Sequence, residues 1–269
     1  MKNNKINKKI KNNKKIKEKK YKKVKKKYKY FIEYIRLNYL YFSILFIATL
    51  IFSYIQNGEK GSKLTYKIFM GFLSLIISII FSYKIHYYSH YSIFKNFSLA
   101  FYESFECCKK IKIPNSIKLI FYSFYNIFFN FHTNYHHDSI INKKWYFIFF
   151  EGLQNLFNCG GFLILLFYFY DVKISIKKVN YYFNYNIIIL WALSYASYHL
   201  INYSLKERNN CHENHHKNPF KNFGPDFMDI LYETKYDIKN FDNINDGALN
   251  IILITIFLLL IRQFTQYIF

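Results

Sequence analysis

Four stretches of this 269-residue chain, 37–58, 68–83, 152–170 and 179–205, contain no Asp, Glu, Lys or Arg. Each approaches the ~20 residues that an α-helix needs to cross the hydrocarbon core of a bilayer, the second being extended by its helix running on past Lys84. Two further apolar stretches, 119–131 and 247–261, are only 13 and 15 residues long and fit re-entrant or interfacial segments better than full crossings. With 52% hydrophobic and 23% aromatic side chains the composition excludes a disordered chain, a collagen-like chain and an ordinary nucleic-acid-binding domain. The expectation is an all-α integral membrane protein with about four transmembrane helices, in contact with lipid and not with nucleic acid.

The formal charge of +22 is unevenly spread, because residues 1–30 hold 16 Lys and one Glu. So Lys-rich a segment has little apolar material to repay the entropy of ordering, which predicts a disordered polybasic tail over 1–36 ahead of a membrane-embedded domain over 37–269. Such a strip can lie on anionic lipid, or simply reflect the Lys, Asn, Ile, Tyr and Phe bias of the whole chain. Residues 17–36 carry nine Lys and Arg36, against three Lys in each of the loops 56–67 and 171–180. The positive-inside rule therefore predicts a cytosolic N-terminus, and the run order brings the chain back to the cytosol near residues 86, 151 and 200. Cysteines at 107, 108, 159 and 211 do not form a disulfide framework and are expected to be reduced. No secretory signal peptide is expected, since the basic stretch is too long for an n-region.

All nine histidines fall in four places: His86 and His90; His132, His136 and His137; His199; and His212, His215 and His216. By the predicted topology every one lies at or beyond a cytosolic membrane edge, giving a histidine-rich helical cap. A single histidine is commonly a structural residue, but nine confined to four clusters ask for another account. Residues three or four apart share a helix face, so His86 with His90, His132 with His136, and His212 with His215 or His216 can each address one metal, while adjacent pairs can splay toward two. Imidazole suits Fe, Zn, Cu and Ni, and eight or nine of them exceed what one ion can use, so two ions are implied. Neutral ligands leave the ions their charge, which suits O2 activation better than hydrolysis.

The pattern HX3H, HX3HH, a lone His at the end of a span and then HX2HH resembles the fatty acid hydroxylase and sterol desaturase superfamily of membrane di-iron oxygenases. The run KNPFKNFGPDFMDILYET after the last pair is similar to that family's Asn-Phe-Gly followed by Trp-Asp-x-Leu-Phe-Gly-Thr: Asn222, Phe223, Gly224, Asp229, Leu231 and Thr234 match, while Met228 replaces the Trp and Glu233 the Gly. The resemblance covers roughly residues 80–235. It departs in a longer gap from His90 to His132, in a His-Pro-x-Glu element reduced to Glu151-Gly152, and in the extra apolar stretch from 247. In the 2-hydroxylase branch the span of the lone His adds another four residues on, where this chain has Tyr203; Asn202 or a water could fill that place. The resemblance implies two Fe ions held by the nine histidines, O2 as co-substrate, and a lipid C–H bond as the target. No haem, flavin or nicotinamide motif appears, so it implies electrons from an external cytochrome b5 and its NAD(P)H reductase on the cytosolic face of the endoplasmic reticulum.

Within the resemblance, a fatty acyl or sphingolipid chain is favoured over sterol C5-desaturation or C4-methyl oxidation, since HHDSIINKKWYFIF lacks the proline-rich run of sterol relatives. Two readings of another class remain. CHENHH satisfies HExxH, a zinc protease signature with His212 and His216 as ligands and Glu213 as base, but it leaves six histidines unexplained and Pro219 would end the helix it needs. A His-rich metal carrier or bis-His haem protein would place facing imidazoles inside the spans.

Overall fold

The computed structural model describes residues 2–56, 63–90, 145–176, 179–205 and 210–268. It is mostly helical: α1 (Lys2–Leu37), α2 (Tyr39–Ile55), α3 (Leu64–Ser89), α4 (Trp145–Leu156), α5 (Phe162–Phe169), α6 (Tyr185–His199), α7 (Asn210–Lys217), α8 (Asp226–Tyr232) and α9 (Ala248–Ile268). A π-turn at Phe157–Gly161 joins α4 to α5, and a second, Leu200–Leu205, continues α6. One antiparallel hairpin, β1 (Lys173–Ile176) with β2 (Val179–Tyr182), pairs Lys173 with Tyr182 and Ser175 with Asn180.

Among the described residues three helices are long and apolar enough to cross a membrane, Leu64–Ser89, Ile148–Phe169 and Asn245–Thr265, and a fourth if Ile16–Leu37 and Tyr39–Ile55, bent by 80°, count as one broken span. The chain thus has the make-up of a multi-pass α-helical membrane protein; one stretch that the sequence leaves open proves longer, and two expectations are corrected. The 247–261 stretch is part of a 21-residue candidate span, because the helix runs on past Arg262 where the uncharged run stops. The 179–205 run is not one helix: its first residues form β2, and helix begins at Tyr185 behind the Asn184 cap, whose Oδ1 accepts from Ile187 N. Residues 1–36 were expected to be disordered, yet Lys2–Leu37 is helical and its last turns belong to the core. Lysine is a fair helix former, and Phe31, Tyr34 and Ile35 recur at helical spacing. Tyr34 is fully buried, with Phe31 and Ile35 packed beside it, so the boundary at 36/37 does not separate tail from domain. The 119–131 stretch lies outside the described residues.

Helix α6 is the centre of the bundle. Ile187, Ile188, Leu190, Trp191 and Ala192 are all 1% exposed or less, as expected of a helix that is apolar all round. It packs on α3, α4 and α9, while α2 packs on α3 and α9. Small polar residues let these helices approach closely, as in membrane bundles generally. Ser74, Ser78 and Ser82 on α3 each donate to the carbonyl one turn back at 2.7–2.8 Å, which satisfies the buried hydroxyls within their own helix. Their oxygens then accept from α6 and its cap: Trp191 Nε1 donates to Ser82 Oγ (3.0 Å) and Asn184 N to Ser74 Oγ (2.8 Å). These two bonds fix the register of α6 against α3. His86, one turn beyond Ser82, and His199, two turns beyond Trp191, consequently emerge at the same end of the bundle. The hairpin lies at the other end, where Lys63 N donates to Tyr181 Oη.

Candidate metal centre

Six of the nine histidines lie in the described residues, and His132, His136 and His137 lie outside them. His86 stands in the last turn of α3, with His90 capping that helix; His199 is the last residue of α6; His212, His215 and His216 all sit on the eight-residue α7. The fold gathers them into two adjacent triads. His86, His90 and His215 offer ligand nitrogens all within 4.8 Å of one another. His199, His212 and His216 form a looser second group with His212 in the middle, its ring 4.7 Å from that of His199 and 4.5 Å from that of His216, centroid to centroid. The neighbours His215 and His216 splay apart, their rings 6.1 Å from each other, and each joins a different triad. The i,i+4 option for His212 is the one realised, since His215 turns away from it.

Two contacts fix the tautomers. His215 Nδ1 lies 2.6 Å from the Lys221 carbonyl, which only accepts, so Nδ1 carries the proton and Nε2 is left as the ligand atom. His199 Nδ1 meets Glu151 Oε1 at 2.9 Å, both groups buried, which likewise places the proton on Nδ1 and makes Nε2 the ligand atom. A carboxylate or carbonyl behind the imidazole is the common outer shell of metal-bound histidine. His86 and His215 bring their Nε2 atoms to 3.1 Å, and His212 and His216 bring theirs to 2.9 Å. Two imidazole nitrogens bound at right angles to one ion at about 2.0–2.1 Å stand about 3.0 Å apart, so the donor set and its spacing fit metal ions. Asn202, the proposed extra ligand, lies in the π-turn after His199, and its Oδ1 is buried with no hydrogen-bond partner among the described residues.

The matching run after the last histidine pair proves to be the support of the first triad. Asp229 accepts from Phe223 N (2.9 Å), Gly224 N (2.7 Å) and Thr234 Oγ1 (2.7 Å), folding 222–234 into one unit. Asn222 and Gly224 both take the left-handed conformation, with φ of 54° and 60°, which Asn and Gly accept most readily. Asn222 also ties three strands of chain together, donating to the Cys211 carbonyl and accepting from Tyr236 N. Glu233 occupies a left-handed cap of α8 at φ 62°, a position where glycine is the usual residue, and reaches out to Lys23 and Lys27 of α1. Held this way, Phe223 packs its ring 5.6–5.8 Å from those of His86, His90 and His215. Tyr83 shares a 2.7 Å hydrogen bond with Thr234 and so ties α3, one turn before His86, to the same loop.

Burial pushes the Asp229 carboxyl up to about 7, with the hydrogen bonds from Thr234 and Gly224 pulling the other way. Cys211, Asp226 and Asp242 form a second buried group beside α7, but their cation is Lys235, whose ammonium bonds the Asp226 carboxylate and approaches Cys211 Sγ at 3.0 Å. Burial alone would lower that ammonium, and the two aspartates with Cys211 more than offset it and hold it above its ordinary range. A cavity of about 50 Å³ opens among His86, His199, His212, Trp191, Tyr195 and Phe223. Glu213, the base of the HExxH reading, points outward with its side chain 60% exposed and pairs with Lys217, away from the histidines.

Sequence reasoning did not assign the roles of Glu151, the Lys221 carbonyl or Phe223. Glu151 was legible as a lone carboxylate at the edge of a long uncharged run, which is where a buried partner for a histidine would be sought. Fold and site together define a multi-pass helical membrane protein with paired histidine triads gathered at one end of its bundle. No family model, curated protein or solved structure matches the chain.

Proposed function

We propose that the protein is an O2-dependent di-iron oxidoreductase that hydroxylates or desaturates an unactivated C–H bond of a membrane lipid, with a fatty acyl or sphingolipid chain as substrate. The observation that carries the reading is the gathering of six imidazoles at one end of the bundle, with His86, His90 and His215 close enough to share an ion and the neighbouring His216 splayed toward His212. One ion would sit among His86, His90 and His215 and the other among His199, His212 and His216, with His132, His136 and His137 completing the ligand set. When bound, two irons supply the reductive activation of O2 that side-chain acid–base groups cannot provide.

The chain's own residues prepare that chemistry. Neutral imidazoles hold the ions without cancelling their charge. Glu151 and the Lys221 carbonyl keep the protons of His199 and His215 on the nitrogens that face away from the site. Phe223 covers one side of the first triad and excludes water there, and the apolar helices below offer the slot in which an acyl chain is held in place. Electrons come from a separate cytochrome b5-type donor with its NAD(P)H reductase. The protein resides in the endoplasmic reticulum membrane with the N-terminus and the histidines on the cytosolic side.

Lipid mass spectrometry of cells with the protein, without it and with His90→Ala tests the reading. A lipid one oxygen heavier or two hydrogens lighter should appear only with the unaltered chain; an identical lipid profile in all three contradicts it.

A further inference from the structure

We propose that α1 is an interfacial helix, lying along the membrane surface and gripping anionic lipid headgroups. The geometry begins at its junction with α2, where 16–37 meets Tyr39–Ile55 at 80°. Helix α2 is an uncharged apolar segment suited to the hydrocarbon, whereas 17–36 carries nine Lys and Arg36 and is barred from it. With α2 in the bilayer, a corner near a right angle lays α1 along the plane of the surface.

That corner is locked. Asn38 donates to the Asp242 carbonyl (3.0 Å) and accepts from Ile244 N (2.7 Å), while Asn245 donates to the Leu37 carbonyl (2.6 Å) and accepts from Tyr41 N (3.2 Å). Further along, Lys23 and Lys27 pair with Glu233 at the end of α8. The helix is therefore held in one direction by its corner, by Glu233 and by the packing of Phe31, Tyr34 and Ile35 in the core.

Its surface has the chemistry of a lipid interface. Tyr21, Val24 and Tyr28 follow one another at i, i+3 and i+7 and are 69%, 57% and 66% exposed, with nothing among the described residues covering them. The same stripe runs on into Phe31 and Ile35, which are packed against the core. Lys20 and Lys27 border it on one side and Lys25 on the other. An apolar stripe between lysines is the pattern of helices that sit at the headgroup level, aromatic rings among the acyl boundary and ammonium groups on the phosphates. The net positive charge selects anionic over zwitterionic lipid.

Hydrogen exchange read by mass spectrometry on the full chain in nanodiscs decides it. Discs of phosphatidylcholine alone are compared with discs in which phosphatidylserine replaces part of it, for the unaltered protein and for Lys20→Gln/Lys22→Gln/Lys25→Gln/Lys29→Gln, which spares the two lysines that pair with Glu233. Exchange at 16–29 should slow by roughly tenfold or more in the anionic discs. The protection should vanish in the variant and in about 0.5 M salt, where charge attraction is screened. Exchange at 30–37 should stay slow throughout, showing that the core contacts persist. Equal exchange in the two kinds of disc, protection that survives the substitutions, or protection that appears only when a soluble acidic protein is added would each overturn the proposal.

Discussion

Glu151 sits 3% exposed in an apolar helix, a place where a carboxylate is costly unless it is paired. Its partner is His199, whose Nδ1 it meets at 2.9 Å, and under the di-iron proposal the pair orients that ring toward its metal. Glu151→Gln should lower metal affinity at the second triad by about 10–100-fold, the usual effect of removing such an outer partner, and leave the first triad nearly intact. Metal titration of the purified variant would show one weak and one tight site; two unchanged sites would assign Glu151 to packing alone. Asp229 makes a second prediction, with a pH sign. Its folded value of about 7 lies above the ordinary ~3.9 of an aspartate, so between those limits the folded chain holds a proton that the unfolded chain releases. Its contribution to stability is therefore complete below about pH 4 and is lost as pH rises toward 7, with a slope of at most ~1.4 kcal/mol per pH unit. Unfolding midpoints across that window should fall more steeply for the unaltered chain than for Asp229→Asn.

Among the elements, the seam between α2 and α3 depends on one missing side chain. A Cβ at Gly71 would fall 1.9 Å from Ser53 Oγ, so the two helices touch through glycine and a serine that is itself bonded to the Thr49 carbonyl. Gly71→Ala should destabilise the protein by about 1–3 kcal/mol, the range for overpacking, and Ser53→Gly in the same chain should recover most of it. Thermal unfolding in detergent checks both; an unchanged midpoint in the single variant would mean that the seam is loose. What the sequence revealed about these elements follows from the same physics. Helices α2 and α3 and the α4–α5 segment were legible because charge is excluded from long runs, and the pairing of His86 with His90 because helical spacing puts them on one face. The strand at 179–182 was hidden, since a short apolar run reads alike as the start of a helix and as a strand. Helix α1 was hidden for the opposite reason: sixteen lysines obscured three apolar residues whose docking depends on contacts with α8 and the 241–244 segment, about 190 to 210 positions away.

At the scale of the molecule, α3 spans from the hairpin end to the histidine end, and its 23 residues from Leu64 to His86 rise about 33 Å, close to the hydrocarbon thickness of ~30 Å. That the histidines would gather at one end was legible from their clustering and spacing, but which residue neighbours which depended on the packing of α6 against α3. The most direct test of the account is the metal content of the purified protein compared across three variants: His90→Ala, His216→Ala and Glu213→Gln. The account predicts two irons per chain in the unaltered protein, loss of bound iron in each histidine variant because each opens a different triad, and full iron with retained lipid oxidation in Glu213→Gln. One zinc per chain that is indifferent to His90→Ala, with activity abolished by Glu213→Gln, would contradict it.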